Sequence, residues 1–132
     1  MLGSLRRYLK RPSEAERGPP RLPDGTRVYA IGDVHGRADC LREMASLIQT
    51  HHAAAPVDCP RIVLLGDLID RGPDSAEIVE LLCRAPLCGG FAQDVLMGNH
   101  EYLLLHFLEE PSFGRSWLPL GGLATLASYG VD

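Results

Sequence analysis

Three short polar blocks, each framed by glycine, follow three apolar runs of the chain. The runs cover residues 28–31, 62–65 and 95–97, and they are apolar or β-branched enough to form buried parallel strands. Each block therefore lies where a strand turns toward the next helix, which is where open α/β sheets bind their ligands. The blocks are GDVHG at residues 32–36, GDLIDRG at residues 66–72 and GNHE at residues 98–101.

The spacing of the three blocks indicates that they belong to one site. The intervals from Asp33 to Asp67 and from Asp67 to Asn99 both match the roughly 30 or more residues of one strand-helix-strand unit. Two consecutive units with right-handed crossovers bring three strand ends to the same edge of a sheet. We therefore expect parallel, adjacent strands near residues 28–32, 62–66 and 94–98.

Apolar residues at helical spacing predict a helix after each block. The first helix is predicted over residues 38–51, because its apolar positions follow the i, i+3, i+4, i+7 rule. A second helix is expected after Pro73, with Asp74 at a capped N-terminus. A third should begin near His100 and run through Leu108. The expected fold class is α/β, in the order βαβαβ.

The side chains of the blocks are those that a pair of divalent metal ions would need. Hard ions such as Mn²⁺ favour carboxylate, amide and imidazole donors, and two ions a few ångströms apart need a bridging ligand. Asp33 and His35 can both reach a first ion, Asp67 can bridge, and Asn99 offers its amide oxygen to the second. Water shared by two such ions becomes hydroxide near neutral pH and can attack phosphorus.

Three further residues of the blocks fit phosphate chemistry. Arg71 has the planar fork that holds two phosphoryl oxygens. His100 is the candidate general acid, since an alkoxide leaves slowly unless a proton is delivered to it. Asp70 is expected to hydrogen-bond and orient that imidazole.

Each of these residues also has an ordinary structural explanation when it is taken alone. Asp33 and Asp67 could be turn carboxylates, Asn99 a left-handed turn residue, and Arg71 a surface ion-pair partner. The ordinary explanation gives no reason for so many metal- or phosphate-competent side chains at three equivalent strand ends. Taken jointly, the blocks therefore favour a functional site.

Composition limits the other classes of function. The chain has 132 residues, 45% hydrophobic and 23% charged, which predicts one globular domain at most. No run approaches the roughly 18 apolar residues of a membrane span, and the N-terminus lacks a secretion signal, so a cytoplasmic protein is expected. The four cysteines form no C-x-x-C pair and are expected to be reduced. Beyond residue 27 acids outnumber bases, which predicts no nucleic-acid face.

The first 24 residues have a different composition from the rest. They combine arginines with prolines, which resists a packed core, and we predict a flexible, basic, Pro-rich arm over residues 1–24. A docking segment for an acidic partner or a membrane surface is the alternative interpretation of this arm.

The three blocks resemble the N-terminal motifs of the calcineurin-like metallophosphoesterases, and specifically the bacterial type of the PPP serine/threonine protein phosphatase branch. The resemblance covers about residues 27–130 and leaves the arm out. It implies that residues 25–132 are the N-terminal part of such a domain, a βαβαβ half of a β-sandwich flanked by helices (α/β/β/α). Beyond GNHE, the positions that also resemble bacterial members are Trp117, Gly121, Gly122, Thr125, Leu126, Ser128, Tyr129 and Gly130.

The resemblance implies roles residue by residue. Two divalent metal ions would be bound, with Mn²⁺ expected and Fe or Zn as alternatives. Arg71 would bind phosphate, His100 would be the acid, and Asp70 would orient it. The implied function is metal-dependent phosphomonoester hydrolysis on a phosphorylated protein, with no nucleic-acid partner, no membrane span and the oligomeric state left open. The implied metal ligands are Asp33, His35, Asp67 and Asn99.

Two other interpretations stay open. The symmetrical diadenosine tetraphosphate hydrolases are close relatives of the protein phosphatases, but their second block usually has Ala where this chain has Asp70. Their third block usually ends in Asp, whereas the third block of this chain ends in Glu101. The other alternative is an inactive metal- or phosphate-binding fragment.

The second alternative arises from length. In the resembling family a second half of the domain supplies two more histidine ligands and another phosphate-binding arginine. After GNHE this chain offers only His106, on a different helical face from His100. We therefore expect the chain to be the N-terminal portion of a longer enzyme, to bind at most one metal ion tightly and to be nearly inactive alone.

Overall fold

The computed structural model describes Pro19 and residues 21–131, and it contains a parallel three-stranded sheet. The strands are β1 (Thr26–Ile31), β2 (Cys59–Leu64) and β3 (Ala92–Val95), and they lie in the order β1-β2-β3. Their last residues, Ile31, Leu64 and Val95, stand opposite one another in the register. The three polar blocks therefore leave the sheet together at one edge, as the spacing predicts.

Five α-helices accompany the sheet in the described part of the chain. Helix α1 (Ala38–Ala54) follows β1, α2 (Ser75–Arg84) follows β2, and α3 (Asn99–Glu109) follows β3. Two short helices then follow, α4 (Gly114–Trp117) and α5 (Gly122–Ser128). Single 3₁₀ turns precede each of them, at Pro111–Phe113 and at Leu118–Leu120.

The core lies between one face of the sheet and the first helices. Ile62 and Leu64 of β2 are fully buried, and they belong to one cluster with Leu41 and Ile48 of α1 and Ile78 of α2. Successive residues of a strand point to opposite faces, so Ile62 and Leu64 share the covered face. Burying each of these side chains contributes about 1.5–3 kcal/mol. Packing of the core thus fixes the position in the sheet at which β2 ends, just before the second block.

The other face and the β3 edge of the sheet differ from the expectation of buried strands. Arg61 of β2 pairs with Asp94 of β3, and both side chains are about half exposed. Beyond β3, Leu96 and Met97 are 49% and 60% exposed. The prediction of a buried strand is therefore wrong for β3, whose residues Ala92, Asp94 and Val95 are exposed, because β3 lies at an edge of the described sheet.

Predicted element boundaries are off by up to three residues. Each strand begins earlier than predicted, because the ladder already pairs Thr26 with Cys59 and Arg61 with Ala92. Each strand also ends earlier, because the ladder stops at Ile31, Leu64 and Val95, before the glycines. Helix α1 continues to Ala54, beyond the predicted end at residue 51. Asp74 precedes α2 as expected, but its side chain makes no capping hydrogen bond.

Most of the predicted arm lies outside the described residues, so the arm stays a prediction. Pro19 and residues 21–24 are the part of it that is described, and they are exposed. Within the described chain, no helix combines the length and the apolar character needed to cross a membrane.

Candidate metal and phosphate site

The backbones of the first two blocks are hydrogen-bonded to each other. The N–H groups of Val34 and His35 both donate to the carbonyl of Asp67, at 3.0 and 2.9 Å. The N–H of Gly36 donates to Leu68 at 2.8 Å, and the N–H of Gly72 donates to His35 at 3.1 Å. These bonds fix the two loops as one rigid platform at the carboxyl end of the sheet.

Four residues of this platform have a left-handed backbone. They are not glycines, yet φ is +46° at His35, +51° at Asp67, +71° at Asp70 and +68° at Arg71. This conformation costs an L-residue about 1–2 kcal/mol, and it persists only where the surroundings impose it. All four are residues to which the sequence assigns a function, so the strain lies where side chains must be aimed.

His35 presents a free ring nitrogen to the site. Its Nδ1 lies 2.9 Å from the carbonyl oxygen of Ile69, an acceptor, so Nδ1 carries the proton and Nε2 has a lone pair. Nε2 is buried, has no hydrogen-bond partner among the described residues, and is 3.6 Å from Oδ2 of Asp33. A buried acceptor without a donor is rare, and a bound cation would satisfy both the nitrogen and the carboxylate.

The carboxylate of Asp67 lies beside this nitrogen. Ligand atoms of His35, Asp67 and His100 all lie within 4.8 Å of one another. Oδ1 of Asp67 accepts the backbone N–H of His100 at 3.0 Å, which ties the second block to the third. Asn99 begins α3 and is exposed, immediately before His100. The structure therefore brings Asp33, His35 and Asp67 together. Asn99 lies in the third block, after β3, as the first residue of α3.

His100 belongs to the cluster by distance, but both of its nitrogens are engaged. Nδ1 is 2.6 Å from Oδ2 of Asp70, and Nε2 is 3.2 Å from Nη2 of Arg71. A guanidinium only donates, so Nε2 is the acceptor and Nδ1 carries the proton that is donated to Asp70. His100 thus fits a proton-handling role better than a ligand role. The rings of His35 and His100 pack edge to face, with centroids 4.7 Å apart.

Glu101 has a role that the sequence analysis missed. Its carboxylate accepts four backbone N–H groups: Gly98 and Asp67 at 2.8 Å, Leu68 at 2.7 Å and Ile69 at 3.3 Å. One side chain thus holds the second and third blocks in register. The signal that could have found it is a glutamate at the third position of a helix, where a carboxylate often reaches back to the residue before the helix.

A second group of residues missed by the sequence analysis surrounds Asp70. The carboxylate of Asp70 is fully buried, and it accepts hydrogen bonds from Trp117 and Thr125 as well as from His100. In the sequence, Trp117 and Thr125 stand out only as part of a resembling stretch. No local pattern could assign them to the site, because they lie 47 and 55 residues from Asp70 in the chain.

A small cavity opens beside Asp33. It has a volume of about 280 Å³ and apolar walls that include Val34, Leu41 and Met44. At its rim, the Arg37 guanidinium beside Asp39 holds the pKa of that carboxyl well below its usual range. Arg37 is therefore already paired, and the cavity has room for an uncharged part of a ligand.

The family of the chain is decided by a single match. The sequence profile of the calcineurin-like phosphoesterases matches residues 26–131. The chain belongs to this family. Calcineurin-like phosphoesterases are divalent-metal hydrolases, so the lone pair of His35 and the carboxylates of Asp33 and Asp67 have the donor chemistry that the family requires.

Several curated calcineurin-like phosphoesterases are similar to the chain, and three of them share the name symmetrical bis(5'-nucleosyl)-tetraphosphatase. The Proteus mirabilis (strain HI4320) protein is 39% identical over 77 residues, which cover 58% of this chain and 25% of that protein. The Paracidovorax citrulli (strain AAC00-1) protein is 36% identical over 88 residues, 64% of this chain and 28% of that protein.

The Legionella pneumophila (strain Corby) protein is 35% identical over 96 residues, 73% of this chain and 29% of that protein. The chain thus spans between a quarter and three tenths of the length of these relatives. No solved structure gives a significant match.

Proposed function

We propose that this site hydrolyses phosphate esters or anhydrides with divalent metal ions held by the three blocks. The observation that carries the proposal is the buried Nε2 of His35, which has no hydrogen-bond partner among the described residues and lies beside Asp33. The residues that would hold the ions are Asp33, His35, Asp67 and Asn99. When bound, the ions would supply a nucleophilic water at neutral pH and positive charge for the phosphoryl oxygens.

Arg71 would bind the phosphate. Its side chain is exposed and only its Nη2 is engaged within the described chain, by Nε2 of His100. A phosphate group offers two oxygens to a guanidinium and would outcompete a single imidazole nitrogen. Binding of the substrate would therefore draw Arg71 away and leave Nε2 of His100 free to carry a proton.

His100 would then deliver a proton to the leaving oxygen. Its Nδ1 donates to Asp70, which holds the ring in one tautomer and directs Nε2 toward the site. The carboxylate of Asp70 stabilises the imidazole when both of its nitrogens are protonated. A positioned general acid of this kind contributes a rate factor of about 10²–10⁴.

For the substrate, the comparisons favour the dinucleotide alternative over the protein phosphatase interpretation. Relatives 34–39% identical to the chain are named as symmetrical bis(5'-nucleosyl)-tetraphosphatases. We therefore propose dinucleoside tetraphosphates as the first substrate class. The cavity beside Asp33, with its mainly apolar walls, has room for part of such a ligand beyond its phosphates.

Phosphoserine or phosphothreonine in a protein is the second candidate, and one observation favours it. A nucleoside diphosphate is a good leaving group, whereas a serine alkoxide needs a proton as it leaves. The buried pair of Asp70 and His100 is built to supply that proton. The two candidates thus differ in how much they depend on His100.

The deciding experiment compares both substrates on the full chain. Diadenosine tetraphosphate and a phosphoserine peptide are each incubated with the chain and Mn²⁺, with and without EDTA, and His100→Asn is tested in parallel. Nucleoside diphosphate as the product supports the first class, and phosphate release from the peptide supports the second. Hydrolysis that survives EDTA would contradict both, and metal binding without any turnover would leave the non-catalytic alternative.

A further inference from the structure

The segment of residues 111–128 lies against the candidate acid although it carries none of the three polar blocks. It comprises α4, α5 and the two 3₁₀ turns, and it buries Trp117 and Thr125 completely or nearly so. Phe107 of α3 packs against the Trp117 ring, with centroids 5.0 Å apart. The segment is therefore fixed by packing at Trp117, and Thr125 is held in a nearly fully buried place.

The carboxylate of Asp70 receives three donors in a fully buried place. Oδ2 accepts the Nδ1–H of His100 at 2.6 Å and the indole N–H of Trp117 at 2.7 Å. Oδ1 accepts the hydroxyl of Thr125 at 2.6 Å. A buried carboxylate is costly to desolvate unless its oxygens are satisfied. Trp117 and Thr125 satisfy the lone pairs that His100 leaves open.

Thr125 also holds the backbone of Asp70. The N–H of Asp70 points at Oγ1 of Thr125, at 2.9 Å, and at Oγ of Ser75, at 3.1 Å. The one hydroxyl hydrogen of Thr125 goes to the nearer acceptor, the Asp70 carboxylate, rather than to Ser75 at 3.1 Å. Thr125 thus forms hydrogen bonds with both the amide and the carboxylate of Asp70, a residue whose φ is +71°.

Gly121 lets the segment approach Arg71 closely, and Gly122 lets the segment pack closely on its own Trp117. The carbonyl of Gly121 accepts the N–H of Arg71 at 3.2 Å, and a Cβ at Gly121 would lie 2.6 Å from that nitrogen. A Cβ at Gly122 would lie 2.5 Å from the Trp117 ring. The same segment therefore sets the backbone of Arg71 and the orientation of Asp70.

We propose that Trp117 and Thr125 are positioning residues that fix the Asp70 carboxylate and, through it, hold the His100 ring in one tautomer facing the phosphate. The role in turnover rests on the proposed function, whereas the fixing of the tautomer does not. Loss of either donor would let the carboxylate rotate, and the ring of His100 would then exchange between tautomers.

The test uses ¹⁵N NMR of the imidazoles at one fixed pH in the full chain. In the wild type, His100 should show the single tautomer with the proton on Nδ1. The variants are compared in an Arg71→Met background, because Nη2 of Arg71 also donates to Nε2 of His100 and would hold the same tautomer. Thr125→Val, which keeps the shape of the side chain, and Trp117→Phe, which loses the indole N–H together with part of the ring, should then give an averaged signal. Thr125→Ser should restore the single-tautomer signal. Thr50→Val is the matched control, since Thr50 lies on the exposed face of α1 and its hydroxyl donates to the backbone carbonyl of Ser46.

An unchanged His100 signal in both donor variants would overturn the proposal. Circular dichroism checks folding, and Trp117→Phe keeps the proposal testable if Thr125→Val is unstable. The consequence for turnover is a separate measurement with Mn²⁺, expressed relative to the residual turnover of the wild-type chain. Thr125→Val should lower kcat about tenfold on a phosphoserine peptide and less than about threefold on p-nitrophenyl phosphate, whose leaving group needs little acid. An averaged tautomer with unchanged kcat would refute the acid role of His100 and not the network.

Discussion

Replacing Glu101 with glutamine should loosen the join between the second and third blocks. The carboxylate accepts four backbone N–H groups, two at each oxygen. Glutamine has the same shape, but its NH₂ group cannot accept, so two N–H donors would face another donor. A hydrogen bond to a charged group contributes about 1.5–3 kcal/mol.

Because Glu101 is only partly buried, water would recover some of the loss, and we expect about 2–4 kcal/mol of destabilisation. For a domain of this size that corresponds to a fall in Tm of roughly 8–16 °C. Thermal unfolding followed by circular dichroism measures it. Mn²⁺ binding by calorimetry should weaken as well, since the backbone of Asp67 is released.

Glu109→Gln is the matched control for Glu101→Gln. Glu109 lies on the same helix and is exposed, so its substitution should change Tm by no more than about 2 °C. The reasoning would be refuted if Glu101→Gln unfolded at the same temperature as Glu109→Gln and bound Mn²⁺ as tightly as the wild type.

Three further predictions concern the metal, the acid and a buried thiol. Asp67→Ala should abolish Mn²⁺ binding, whereas His100→Asn should keep it and lose the residual turnover of the wild-type chain; equal loss of metal from both would contradict the assigned roles. Calorimetry on the wild type should give at most one tightly bound Mn²⁺, because the first ion has three donors and the second only two, and two tight sites would refute this. Burial raises the pKa of the Cys88 thiol above its ordinary value of 9.0. Because the unfolded chain loses this proton at a lower pH than the folded chain, the stability that the thiol gives is fully present below 9.0 and is lost as the pH rises through the folded value. Tm should therefore fall less between about pH 8 and 10.5 in Cys88→Ala than in the exposed control Cys83→Ala. Equal falls in Tm for the two variants would contradict this prediction.

The order and type of the main elements could be predicted from the sequence because their signals are local. Apolar periodicity places α1 within residues 38–51, and the observed helix differs only by extending to Ala54. The parallel sheet and its adjacent strand ends follow from the connection lengths. Strand boundaries are less accurate, since an apolar run does not show at which residue the hydrogen-bonded ladder begins or ends.

The support of the site could not be predicted in the same way. Trp117 and Thr125 reach Asp70 from 47 and 55 residues away, through two short helices with no strong period of their own. The exposed side of β3 was also missed, because burial of a strand depends on what packs over it. Asp33 and His35 were predictable as neighbours, but the unpartnered Nε2 of His35 is a property of the folded platform, within the part of the chain that is described.

A left-handed backbone lowers the stability of this chain at four positions whose side chains are assigned a function: His35, Asp67, Asp70 and Arg71. Arg71 is the clearest case, since its side chain is exposed while its φ is +68°. Glycine there would relieve about 1–2 kcal/mol of strain and lose about 0.4–1 kcal/mol through the more flexible unfolded chain. A library selected for heat resistance alone should therefore drift toward glycine at position 71 and discard the phosphate-binding guanidinium, whereas a library selected for turnover should retain the strained arginine.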